Sequence, residues 1–119
     1  MNTSEAFRDF VLDQLAGLAP VACRRMFGGY GLYAGETFFA ILSRNRLYFR
    51  TDAASRADYV AAGTGPFRPR AGKTLRNYYE VPVDVMEDAD RLVAWARRAA
   101  TGPPRARRRR RALRSGRRT

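Results

Sequence analysis

The sequence predicts an α+β fold: a single domain with an antiparallel sheet of about five to six strands, flanked by an N-terminal helix, a short middle helix and a C-terminal helix. Three observations point to it. Apolar residues recur at helical spacing near both ends of the first hundred positions. Between them, short aromatic or aliphatic runs alternate with turns rich in Gly, Asn and Pro. From position 21 to 50 these runs follow one another with no helix-length segment between them, which argues against the alternating order of an α/β protein. No internal repeat is visible.

Ser4 is placed to cap a first helix whose inner face carries Phe7, Phe10, Val11, Leu15 and Leu18, and Gly17 and Pro20 end it. Val21 to Phe27 then reads as a strand, Gly28-Gly29 as a turn or bulge, and Tyr30 to Tyr33 as a second strand. Ala34-Gly35-Glu36 is a hairpin turn, Thr37 to Leu42 a strand, Ser43 to Arg46 a polar turn, and Leu47 to Arg50 a further strand. Thr51 or Asp52 caps a short Ala-rich helix over Ala53 to Ala62, with Tyr59 and Val60 its only bulky residues and Gly63 its stop. Gly65-Pro66 opens a loop, Phe67 begins a strand, Ala71-Gly72-Lys73 turns it, and Leu75 to Val81 returns. Leu92, Val93, Trp95, Ala96 and Ala99 mark the last helix. Asp84, Glu87, Asp88 and Asp90 gather near helix N-termini and Arg97-Arg98 near the final C-terminus, the signs that suit the helix dipole.

The formal charge of +12 is unevenly spread. Positions 105–119 hold nine arginines and no acid, whereas the remainder holds fourteen basic residues against eleven acidic ones, a net +3. Gly102-Pro103-Pro104 separates the two compositions, because neither proline continues a helix. Ala106, Ala112 and Leu113 are too few apolar side chains to offset the entropy of ordering the segment. The expectation is a folded domain over 1–101 and a disordered, Arg-rich segment over 102–119. Six arginines among the seven positions 105–111 repel one another unless an anion is present. Nucleic-acid phosphates, bound by counterion release with little base preference, are the expected partner of Arg105, Arg107, Arg108, Arg109, Arg110, Arg111, Arg114, Arg117 and Arg118. A merely solubilising extension is the alternative.

Several chemistries lack their residues. There is no histidine, and the lone Cys23 has no internal disulfide partner and no imidazole to activate it, so it reads as a small apolar strand residue in a reducing compartment. No metal site and no cofactor are expected. No apolar run is long enough for a membrane span, and Glu5 and Asp9 interrupt any secretory signal, so a cytoplasmic protein with no membrane partner is expected. Gly29-Tyr30-Gly31-Leu32-Tyr33-Ala34 matches a dinucleotide fingerprint, but a strand follows it where a helix is needed. Gly72-Lys73-Thr74 imitates the end of a phosphate loop, yet Phe67 stands where that loop requires glycine. Glu80 beside Tyr78 and Tyr79 is the best catalytic candidate, against the plainer reading of a solvated or salt-bridged strand residue. Phe38, Phe39, Tyr48, Phe49, Tyr78 and Tyr79 suit a sheet that stacks nucleobases, although alternation must bury about half of them and core packing is the default. Arg24, Arg25, Arg44, Arg46, Arg50, Arg68, Arg70 and Arg76 recur beside strand ends and turns, either as a basic patch or as a solvated surface.

Met26, Phe27, Gly28, Gly29, Tyr30 and Gly31, answered by Tyr78, Tyr79, Glu80 and Pro82, form a combination more specific than any single piece. With Leu47 to Asp52 between them and Asp84 to Asp88, Leu92 and Trp95 to Arg98 beyond, the set closely resembles the N-terminal domain of the TfoX/Sxy proteins over roughly residues 5 to 100. That resemblance implies a compact α+β domain, in a family of bacterial competence regulators that act with a cAMP-receptor-type activator. Members commonly carry a second, helical C-terminal domain, and here the arginine segment stands in that place. The signature residues are expected to be fold determinants, and valine at Gly29 or Gly31 is expected to destabilise the domain if either glycine occupies positive φ. The leading functional expectation is a non-enzymatic regulatory or adaptor protein that binds nucleic acid and a transcription-regulator protein. The alternatives are a protein-interaction module with an incidental basic tail, and a small enzyme working without histidine. Since every long apolar pattern precedes Thr101, deleting residues 105–119 should leave a cooperative thermal transition intact, which calorimetry of the truncated chain checks.

Overall fold

The computed structural model describes residues 3–18, 20–26, 28–69 and 74–101. Helix α1 (Glu5–Gln14) starts at Ser4, whose hydroxyl accepts the Phe7 N–H at 3.1 Å. It buries Val11, with Leu15 just beyond its end, and lays Phe7 and Leu18 partly against the core. Phe10 does not share that face and is 39% exposed. At 100° per residue it falls about a quarter-turn from the line through Phe7, Val11 and Leu15. The helix also stops earlier than expected, with Leu15 as its C-cap.

Strands β1 (Val21–Met26), β2 (Gly29–Ala34), β3 (Thr37–Ser43), β4 (Arg46–Arg50), β5 (Pro66–Phe67) and β6 (Leu75–Glu80) form one antiparallel sheet in the order β1-β2-β3-β4-β6-β5. The first four are a meander joined by tight turns. Between β3 and β4 the turn residues Arg44 (φ 54°) and Asn45 (φ 59°) are both left-handed, the twist that a two-residue hairpin needs. Asn45 tolerates it because its Oδ1 accepts the Ser4 N–H at 2.9 Å, which also ties the start of α1 to this turn. The second strand of the sequence reading begins at Gly29, and the β6 ladder ends at Glu80, although Val81 N–H still donates to the Leu47 carbonyl at 2.8 Å.

Helix α2 (Ala53–Ala61) is capped by Asp52, with Ser55 answering in a reciprocal capping box. Its Tyr59 is buried against Tyr79 and Trp95, while Val60 faces solvent. After Pro82 come α3 (Val83–Met86), a single turn that the sequence reading did not separate, and α4 (Ala89–Thr101). Leu92, Ala96 and Ala99 of α4 join Leu32, Leu42, Leu47 and Phe49 of the sheet in the principal core. All the helices of any length therefore cover one face. A bulge makes this possible in β3: Leu32 pairs with Ala40 but Tyr33 pairs with Phe38, so Phe39 is an extra residue. Phe39 and Ala40 consequently both face the helices, and Phe38 and Ile41 both face the other side.

The glycine segment works differently from the expectation. Of its glycines only Gly28, at φ 74°, is left-handed; Gly29 and Gly31 lie in extended strand. They are required by proximity. A Cβ on Gly29 would run into the Leu42 carbonyl oxygen, and one on Gly31 would lie 2.6–2.8 Å from the Met26 thioether and the Phe38 ring. Valine at either position should therefore destabilise the domain by about 1–3 kcal/mol through overpacking. Chemical denaturation should rank Gly29→Ala as worse than Gly31→Ala, because backbone cannot yield to the new methyl as the flexible Met26 side chain can.

Candidate nucleic-acid interface

The sheet face opposite the helices is covered by its own side chains. Ile41, Phe67 and Tyr78 are buried there, with Phe38 and Tyr48 packed against them. Tyr33 stacks on Phe38 (centroids 5.1 Å apart), Phe38 meets Tyr78 at 5.5 Å, and Tyr48 meets Phe67 at 4.7 Å. The Tyr78 hydroxyl reaches across β4 to donate to the Phe38 carbonyl at 3.4 Å. Tyr33, Phe38 and Tyr48 remain partly exposed. The result is a contiguous aromatic layer over the buried Ile41.

Of the expected aromatic series, Phe38, Tyr48 and Tyr78 lie on this face, while Phe39, Phe49 and Tyr79 belong to the helix-covered core. Tyr33 and Phe67 were missed. The bulge that brings Phe38 beside Tyr33 has no signature in the sequence, and Phe67 belongs to a two-residue strand too short for alternation to be read.

The arginines divide in the same way. The Arg24 guanidinium lies 5.2 Å from the Tyr33 ring centre, on the aromatic face. Arg46, on the same side of β4 as Tyr48, grips Glu80 through both carboxylate oxygens at 3.0 and 3.1 Å. Arg44, in the β3–β4 turn, acts electrostatically on Tyr48 together with Arg46. Arg76 shares the strand parity of Tyr78 and is exposed. Arg25 lies instead on the helix side, where it and Arg8 approach the ring of the buried Tyr30 at 5.6 and 5.3 Å. Arg50 borders a shallow dent with Ser55, Tyr59, Trp95, Arg98 and Ala99, and Arg68 is exposed just beyond β5. The seven of these arginines that lie among the described residues thus do not make one patch.

Arg70, Phe27, the turn at residues 71–73 and the nine arginines of 105–119 lie outside the described residues. Of the remaining signature positions, Met26 covers Gly31, Tyr79 packs on Tyr59 beneath the Arg56 guanidinium, and Pro82 caps α3. Glu80 is a salt-bridged strand residue in an exposed pair. The dinucleotide-like glycines run directly along β2, so no helix N-terminus meets them. Burial pushes the Cys23 thiol above its ordinary range. Among the described residues no group of three or more His, Cys, Asp or Glu side chains is placed to hold a metal, and no helix is long and apolar enough to cross a membrane.

A six-stranded antiparallel sheet with helices on one face and an aromatic, arginine-bearing opposite face defines the class of this α+β domain. Comparison with known families places it further: the TfoX N-terminal domain matches residues 13–102, and the chain belongs to that family. No curated protein matches the chain significantly.

Tyr48 offers a titration that checks the face. Burial raises its phenol above the usual value near 10, the Glu80 carboxylate raises it further, and Arg46 and Arg44 oppose them. Its contribution to stability is therefore complete below about pH 10 and is lost as pH rises through the folded-state value. Ultraviolet difference titration against Tyr48→Phe should show late ionisation, moved down by Glu80→Gln and up by Arg46→Ala.

Proposed function

We propose that this protein is a non-enzymatic regulatory or adaptor protein of the TfoX N-terminal type, acting in the cytoplasm in transcription or competence-related regulation. Its Arg-rich C-terminal segment binds nucleic-acid phosphates without sequence selection. The observation that carries this reading is the segregation of charge: nine arginines and no acid in residues 105–119, beside a domain of nearly balanced charge. Such a segment gains affinity by releasing counterions from the phosphate backbone. Phosphate contacts of this kind position a protein without reading base edges. The domain supplies the regulatory contact, with a transcription-regulator protein as its partner.

The domain's own charges favour this division of labour. Asp9, Glu80, Asp84 and Asp58 pair with Arg8, Arg46, Arg91 and Arg98 respectively. These surface pairs add little stability, about 0–1 kcal/mol each, but they lower the net field of the folded part and leave long-range attraction to the tail. Duplex DNA binding should fall steeply with salt, with a log–log slope approaching roughly −8 if all nine arginines engage and less if fewer do. Replacing Arg107 to Arg111 with alanine should weaken binding to unrelated duplexes equally, as fluorescence anisotropy at several salt concentrations will show. Duplex affinity unchanged by that replacement would overturn the assignment.

A further inference from the structure

We infer that the helix-free sheet face is a platform for single-stranded nucleic acid, on which unpaired bases stack against Tyr33, Phe38 and Tyr48. This builds on the nucleic-acid reading above but assigns the tail and the domain different tasks, phosphate attraction for one and base stacking for the other.

The chemistry of the face selects this occupant. A face awaiting an apolar protein surface would present large aliphatic side chains, yet Ile41 is fully buried and the large apolar groups left partly exposed are three aromatic rings and the Met26 side chain over Gly31. Rings offer π-faces that suit any base, whatever its hydrogen-bonding edge. The strands around them are predominantly basic. Glu80 is the only acid in any of the six strands, and it is already held by Arg46. Arg24 at one margin and Arg44 and Arg76 towards the other leave guanidinium groups for phosphates. From β1 to β4 is three inter-strand spacings, about 14 Å, enough for two or three stacked nucleotides.

A duplex cannot use this surface, because its bases are already stacked on one another and its grooves do not expose their faces.

The test uses the full chain, oligo(dT), oligo(rU) and a duplex of equal length. Wild type should prefer the single strands, and the preference should persist at salt concentrations that abolish duplex binding. Tyr33→Leu and Tyr48→Leu should each lower single-strand affinity roughly five- to tenfold and leave duplex binding unchanged. In Tyr48→Trp, which retains a stacking ring, oligo(dT) should bind as in wild type and quench the new indole emission. That readout holds even if a leucine variant folds poorly. Changing Arg107 to Arg111 to alanine should weaken duplex binding but spare the single-strand preference. Duplex affinity unchanged by this replacement sinks the tail assignment and leaves the platform standing. The platform itself is overturned if the folded leucine variants bind oligo(dT) like wild type, or if saturating oligo(dT) leaves the Tyr48→Trp emission unchanged. It is also overturned if loss of the tail arginines abolishes all single-strand binding, or if polyglutamate displaces oligo(dT) at equal charge concentration, which would mark the face as a site for an acidic protein.

Discussion

A six-stranded sheet has two faces to keep from water, and the helices among the described residues cover only one of them. The second face must be sealed by the strands' own side chains. That requirement explains why the rings of Tyr33, Phe38, Tyr48 and Tyr78 form a layer over Ile41. It also explains why Gly31 is bare, since Met26 and Phe38 occupy the volume where its side chain would be. The bulge at Phe39 distributes the aromatics between the faces: if regular alternation ran unbroken from Phe38 through Phe39 and Ala40, Phe38 and Ile41 would point in opposite directions and one of them would lack a partner. The helix side, by contrast, is a conventional core in which Leu92, Ala96 and Ala99 present a narrow stripe that lets α4 approach β3 and β4 closely.

Much of this was legible in the sequence because it depends on local rules. Ser4 caps α1, Asp52 caps α2, Gly63 stops it, and the three hairpins fall where turn residues interrupt apolar runs. What was not legible depends on three-dimensional proximity. Gly29 and Gly31 look like turn glycines, and only the packed sheet shows that carbonyl and thioether neighbours exclude a Cβ. Phe10 fits a helical pattern but loses its place on the buried face once α1 docks. For the candidate site the aromatic residues were visible as a set, whereas their division into core and open face required the bulge, and alternation read from sequence cannot register a residue that breaks it.

The arginines show how a basic domain avoids unpaired buried charge. Arg8, Arg24, Arg25 and Arg56 each rest near an aromatic ring, and Arg46, Arg91 and Arg98 have carboxylate partners. A guanidinium over a ring keeps most of its hydration and contributes about 0.5–1 kcal/mol at an exposed site. It also stays chemically available, because a flat cation on a flat ring can be displaced or extended by a further planar group. Tyr30 receives two such cations, one from α1 and one from β1, so its ring joins the first helix to the edge of the sheet without an ion pair.

The strand order carries a consequence for how the chain assembles. Strands β1 to β4 pair with one another in sequence order, so three of the five ladders close over connections of two residues. The β4–β6 ladder instead encloses α2 and β5 within its connection, and it must wait for that longer loop to close. The meander therefore carries the smaller loop-closure cost, and the pairing of β6 with β4 the larger. Tyr78, reaching over β4 to the Phe38 carbonyl, belongs to the non-local part, so the aromatic face joins residues from both.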